Sequence, residues 1–175
     1  MIKGGKGGAH TLSGIDFEKR IDLRVAFSNL PGYQVIGNDL LFKGKTVAQI
    51  YKKTEFYSKF LKGLNIPYES ILSQKLLPDE AIFVVTNNTL FIIEIKFQSV
   101  SGSVDEKLQT CDFKKKQYQK LLFGTNINVE YIYILNDWFK QSQYRDVLAF
   151  IESVKCRYFF EELPFNFLGL PSPKI

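Results

Sequence analysis

The spacing of apolar residues changes period several times along the chain, and each change marks an element. Phe17, Ile21 and Val25 recur at i, i+4 and i+8, the spacing of one helix face. Ser13-Gly-Ile-Asp16 ahead of them has the form of a weak capping box. The pattern therefore predicts a helix running to about Phe27, stopped by Pro31-Gly32. Between 33 and 50, Tyr33-Gln-Val-Ile36 and Leu40-Leu-Phe42 are short β-prone pieces around Gly37-Asn38. Residues 54–62 read as a helix that Asn65 to Pro67 ends. Ala81 to Val85 and Leu90 to Phe97 read as strands joined by Thr86-Asn-Asn-Thr89, and Ser101-Gly102-Ser103 breaks the second. Residues 104–109 suit a helical turn or an ordered loop. Asp112 to Phe123 follows as a helix with Phe113, Leu121 and Leu122 on its apolar side. Val129 to Leu135 is a nearly continuous apolar run, as expected of a strand buried on both faces. Tyr144 to Val154 is a helix with Val147, Ile151 and Val154 at i, i+4 and i+7, and Cys156 to Phe160 is a last strand.

A hairpin followed by β–α–β crossovers implies an α/β chain whose mixed sheet is flanked by helices. The 175 residues suit one domain over the whole chain. A Gly- and Lys-rich arm at 1–13 is expected to be flexible. The tail at 161–175, with Pro164, Pro171 and Pro173, is expected to be irregular.

The hairpin carries the candidate chemistry. Alternate strand residues share a face, so Ile92, Glu94, Lys96 and Gln98 lie together, opposite Phe91, Ile93, Ile95 and Phe97. A charged pair on an otherwise apolar strand needs a partner or a metal, because burying charge is costly. If Asn87-Asn88 is a two-residue turn, Thr86 faces Thr89, Phe83 faces Ile92, Ala81 faces Glu94 and Asp79 faces Lys96. Facing residues lie on one side of a sheet, so Asp79, Glu94 and Lys96 converge. A four-residue loop keeps that result, whereas an odd loop exchanges Asp79 for Glu80. Two carboxylates and an amine at such range suit phosphodiester hydrolysis. Asp79 and Glu94, with the Ile95 carbonyl between Glu94 and Lys96, can hold Mg²⁺, which prefers hard oxygen donors. Lys96 can position a water and stabilise developing charge.

In this arrangement, Pro78-Asp79, a hairpin and then Glu94-Ile95-Lys96, the chain resembles the PD-(D/E)XK nuclease superfamily. The resemblance implies an αβββαβ restriction-endonuclease-like core over roughly residues 14–160. It implies Mg²⁺, with Mn²⁺ as a substitute, held by Asp79 and Glu94, and water assistance by Lys96. Many members add a glutamate from the first helix, and Glu18 is the matching position. The segments Gly7 to Glu18 and Gly102 to Lys107 look like those of small type II restriction endonucleases. Asp105-Glu106-Lys107 and Asp112-Phe113-Lys114 repeat the acid-x-Lys triplet, but neither sits on an apolar strand behind a Pro-Asp.

Composition narrows the partner. The net charge is +5, from 23 Lys and Arg against 18 Asp and Glu, a modest excess that fits a polyanion. Lys114-Lys115-Lys116 with Tyr118 are candidates for tracking a phosphate backbone. Gln98 on the catalytic face, and Lys3 and Lys6 in the arm, are further candidates for contacting DNA. The single histidine, His10, excludes multi-histidine zinc sites. The two cysteines, Cys111 and Cys156, lack metal-ligand spacing and read as free thiols. No apolar run approaches the ~18 residues of a membrane span, and the start lacks the apolar stretch of a secretory signal. A cytoplasmic protein is the expectation. The sequence thus points to a type II restriction endonuclease leaving 5′-phosphate ends, acting as a homodimer or as a subunit of a heteromer. A repair or junction-resolving nuclease, and an inactive DNA-binding protein, are the alternatives.

Overall fold

The computed structural model describes residues 14–16, 22–100 and 104–173, with side chains throughout except at 104 and 105. In chain order the elements are β1 (Gly14–Asp16), α1 (Leu23–Ser28), β2 (Tyr33–Ile36), β3 (Asp39–Phe42), β4 (Lys45–Tyr51), a π-helical turn (Phe56–Leu61), α2 (Tyr68–Ile71), β5 (Glu80–Val84) and β6 (Thr89–Lys96). There follow α3 (Val104–Leu108), α4 (Cys111–Leu121), β7 (Asn128–Leu135), two 3₁₀ turns (Asp137–Lys140 and Ser142–Tyr144), α5 (Arg145–Ser153), β8 (Arg157–Phe160), β9 (Glu162–Pro164) and α6 (Phe165–Leu168).

Strands β2 to β8 lie side by side in sequence order in one seven-stranded sheet. β2 through β6 pair antiparallel. β6, β7 and β8 are parallel. This is the mixed sheet that a hairpin followed by β–α–β crossovers implies. The change of sense has a covalent cause: a four-residue loop can only return the chain antiparallel, whereas the crossovers through α3–α4 and α5 are long enough to bring it back parallel.

Two apolar layers sandwich the sheet. On one face Ala81, Leu90, Ile92, Tyr131 and Tyr133 pack beneath Phe56, Tyr57, Phe60, Tyr118, Leu121 and Ile151. On the other, Ile82, Val84, Phe91, Ile93 and Ile132 pack beneath Ile15, Leu23, Phe27, Phe165 and Leu168. The interior strand β6 therefore buries both of its faces up to Glu94, which is why its sequence is almost continuously apolar.

Of the predicted first helix, Phe17 and Ile21 lie outside the described residues. The described helix α1 begins at Leu23, with the Asp22 side chain accepting a hydrogen bond from the Arg24 N–H at 2.8 Å, and Val25 is exposed rather than packed. Residues 14–16 are instead a strand, paired antiparallel with β9. Gly14 makes that approach possible, since a Cβ there would lie 2.6 Å from the Leu163 carbonyl oxygen. Gly14→Val is accordingly expected to cost 1–3 kcal/mol, the usual range for overpacking. Urea unfolding measures it, and a variant as stable as the parent would show that the ribbon adds nothing. The tail expected to be irregular supplies β9 and α6, which cover the second apolar layer.

On α4 the buried stripe is Cys111, Lys115, Tyr118 and Leu121. Phe113 lies off that stripe and is 61% exposed, contrary to its expected place on the apolar side. Cys111 and Cys156 are free and buried. No helix of the described residues is long and apolar enough to cross a membrane.

Candidate active site

The hairpin loop has four residues, 85–88, with Val84 paired to Thr89 and Glu80 to Ile93. The pairing is thus shifted by two from that of a two-residue turn, and Ala81 faces Ile92 rather than Glu94. An even shift preserves facing, so Asp79 and Glu94 still share a side. Asn88 takes φ 53°, a left-handed conformation that asparagine tolerates because its short side chain bonds locally.

The last backbone pair of β5 with β6 is Glu80 with Ile93. Beyond it, the Asp79 carboxylate substitutes for a strand: its Oδ2 accepts from the Ile95 N–H at 3.0 Å. In a ladder a residue's N–H and C=O leave on the same side, so the Ile95 carbonyl faces the segment that carries Asp79. The Lys96 ammonium donates to Glu94 Oε2 at 2.8 Å and to Asp79 Oδ2 at 3.4 Å. Glu94, only 5% exposed, also receives Lys114 Nζ at 3.5 Å, from α4. Burial alone would push the Lys96 ammonium down. Glu94, and then Asp79, outweigh it and hold the group above the ordinary lysine range. Lys96 is therefore a cation at neutral pH, suited to orienting a water and neutralising charge rather than to removing a proton.

Several expected DNA contacts lie elsewhere. Lys115, one position after Lys114 and so about 100° round the helix, turns away from the acids. It bridges Glu130 and the Lys155 carbonyl. That bridge lies beside the stretch of β7 ahead of Ile132, where the pairing with β8 begins. Lys115 is consequently 7% exposed and presents no ammonium to a phosphate. Tyr118 is buried, its ring edge-on to Phe56 and its hydroxyl donated to the Leu76 carbonyl at 3.0 Å. It is a core residue rather than a surface contact. Gln98 is buried too. Its main chain forms a reciprocal pair with the Asn136 amide, at 3.1 and 2.7 Å, and its side chain donates to the Val100 carbonyl. Lys116 is exposed and pairs with Asp112 one turn back, at 2.7 Å. Glu18, Lys3, Lys6 and His10 lie outside the described residues. The approach of Lys114 to Glu94 has no sequence signal, since it depends on how α4 is rotated over β6.

No family model, curated protein or solved structure matches this chain. Among the described residues no group of three acidic, histidine or cysteine side chains gathers at metal-binding range. The available donors are two carboxylates and a main-chain carbonyl, all hard oxygens. Such a set fits Mg²⁺, which is usually held by one or two carboxylates and completes its shell with water. Two ammonium groups already drawn to Glu94 Oε2 indicate that this corner favours cations.

Proposed function

We propose that the chain is a Mg²⁺-dependent endonuclease of the PD-(D/E)XK type, hydrolysing double-stranded DNA to leave 5′-phosphate ends, most specifically as a type II restriction endonuclease. One observation carries the reading: Asp79, Glu94 and Lys96 converge at the end of the hairpin, with Lys96 Nζ within 3.4 Å of both carboxylates. A solvated stripe on an open sheet face would instead leave Glu94 in water, but it is buried beneath α4.

Asp79 and Glu94 would hold the ion, with the Ile95 carbonyl as a third ligand and Glu18 as a candidate fourth. A bound Mg²⁺ lowers the pKa of a coordinated water and offsets charge on the pentavalent transition state. Lys96 holds the attacking water in line and stabilises negative charge as it develops on the phosphoryl oxygens. Lys114, which approaches the same Glu94 oxygen as Lys96 at 3.5 Å, balances the carboxylate and would add a positive charge near a bound phosphate. Lys116, further out on α4, would add a backbone contact of the salt-sensitive kind. Cleaving both strands calls for two such centres, supplied by a homodimer or by a heteromeric partner. A nuclease of this kind acts on DNA in the cytoplasm.

The test is incubation of mixed plasmid and phage DNA with the protein, with Mg²⁺ or Mn²⁺ and with EDTA. Discrete bands that appear only with the divalent ion support the reading. Cleavage confined to branched DNA would move it to junction resolution. Binding to duplex DNA without any cleavage would replace it with that of a DNA-binding protein.

A further inference from the structure

The acid Asp79 projects from a segment, 75–79, that belongs to no helix or strand. Main-chain groups in such a segment need partners from elsewhere, and here two tyrosines supply them. Tyr57, on the π-helical turn, accepts from the Leu76 N–H at 2.8 Å and donates to the Leu76 carbonyl at 3.0 Å. Tyr118, on α4, donates to the same carbonyl at 3.0 Å. Lys53 N–H adds a bond to the Pro78 carbonyl at 2.9 Å. Both tyrosines are buried, and burial pushes both hydroxyls above the ordinary phenol range, so they stay protonated donors. Their rings are fixed in turn. Phe56 stands edge-on to each of them, and Tyr68 stands edge-on to Tyr57. Lys75 lies over the Tyr68 ring at 4.7 Å and over the Tyr57 ring at 5.6 Å.

We infer that Tyr57 and Tyr118 are positioning residues of this centre: their hydroxyls grip both main-chain groups of Leu76 and so set where Asp79, three residues on, presents its carboxylate. The inference rests on the metal-dependent reading above for what Asp79 does, but not for how it is held. The grip joins elements from distant parts of the chain. It also fixes an acid that the β5 ladder does not reach, since that ladder stops at Glu80. The Ile95 N–H, which donates to Asp79 Oδ2, reports directly on the position of the carboxylate.

The experiment compares Tyr57→Phe, Tyr118→Phe and the double variant with Tyr33→Phe. Tyr33 lies on the opposite face of the sheet and donates to the Pro171 carbonyl at 2.6 Å. It therefore loses a comparable hydroxyl bond away from Asp79. Two quantities are read beside the melting temperature: amide exchange at Ile95 relative to Ile93, measured by NMR, and the Kd for Mn²⁺. The double variant is expected to speed Ile95 exchange selectively and to weaken Mn²⁺ binding about tenfold, the scale seen when an outer-shell partner of a ligand is removed. Each single variant should show a smaller effect of the same sign, and Tyr33→Phe should leave both quantities unchanged. Unchanged Ile95 exchange in the singles and the double, or an equal change in Tyr33→Phe, overturns the inference. If Ile95 exchange responds but the parent neither binds Mn²⁺ nor cuts DNA, the positioning role stands and the metal reading falls.

Discussion

Lys96→Ala is expected to lower kcat for Mg²⁺-dependent DNA cleavage by about 10²–10³-fold, the usual cost of removing one preorganised charge-stabilising group, with little change in DNA affinity. The ammonium lies 2.8 Å from Glu94 and 3.4 Å from Asp79, so in the proposed reaction it would stand beside the phosphoryl group held at those acids. It is held positive by those acids. Its loss leaves both acids in place to hold the ion, and Lys114 at 3.5 Å continues to balance Glu94, so the fold should persist with a small loss of stability. Single-turnover cleavage with excess enzyme separates the chemical step from binding and product release. A variant that cuts at the parental rate would place the activity away from this hairpin.

Glu80→Gln is expected to stabilise the protein by about 3 kcal/mol at pH 8 and hardly at all near pH 4.5. Glu80 is next in the chain to Asp79 but points to the opposite face, where it is 5% exposed. Its Oε1 accepts from the Leu23 N–H at 3.3 Å, and its Oε2 is buried with no hydrogen-bond partner among the described residues. Burial, then the charge of Asp22, push its carboxyl up to about 7 from the ordinary 4.5. The Leu23 N–H, Lys52 and Arg24 pull the other way. A carboxyl whose pKa is higher folded than unfolded stabilises in its protonated form. That contribution is complete below about 4.5 and is lost as pH climbs through about 7. Glutamine copies the protonated acid and keeps an acceptor for Leu23, so its advantage should open across that window. Urea unfolding of parent and variant at pH 5, 6, 7 and 8 reads it. Parallel curves at every pH would mean that Glu80 is ionised and paired in the folded protein.

The two predictions concern neighbouring residues on opposite faces, and the parity of one loop separates them. Strand alternation puts Asp79 and Glu80 on opposite faces, and an even loop of either two or four residues gives Asp79 the side of Glu94. Equally legible were β7, whose apolar run announces a strand buried on both sides, and α5, whose buried Ile151 sits on the predicted stripe. The sequence was least legible where partners are remote. Residues 14–16 look like the start of a helix by local spacing, but they pair with 162–164 from the other end of the chain. Local periodicity carries no information about so distant a neighbour.

Within the candidate site, the sequence by itself determined that Glu94 and Lys96 share a face and that one of the neighbours Asp79 and Glu80 joins them, while the four-residue loop of the fold gives that place to Asp79. Side-chain alternation in a strand is a covalent property that loop parity transmits across a hairpin. Only the tertiary structure decided what meets that face. In the run Lys114-Lys115-Lys116, the first lysine reaches Glu94, the second is sealed against Glu130 and the Lys155 carbonyl, and the third stays in solvent with Asp112. Successive helix positions are about 100° apart, so their fates depend on the rotation of α4 over the sheet. Packing sets that rotation through Cys111, Tyr118 and Leu121. The grip of Tyr57 and Tyr118 on Leu76 was settled in the same way, because it joins three segments whose only common property is their place in the folded chain.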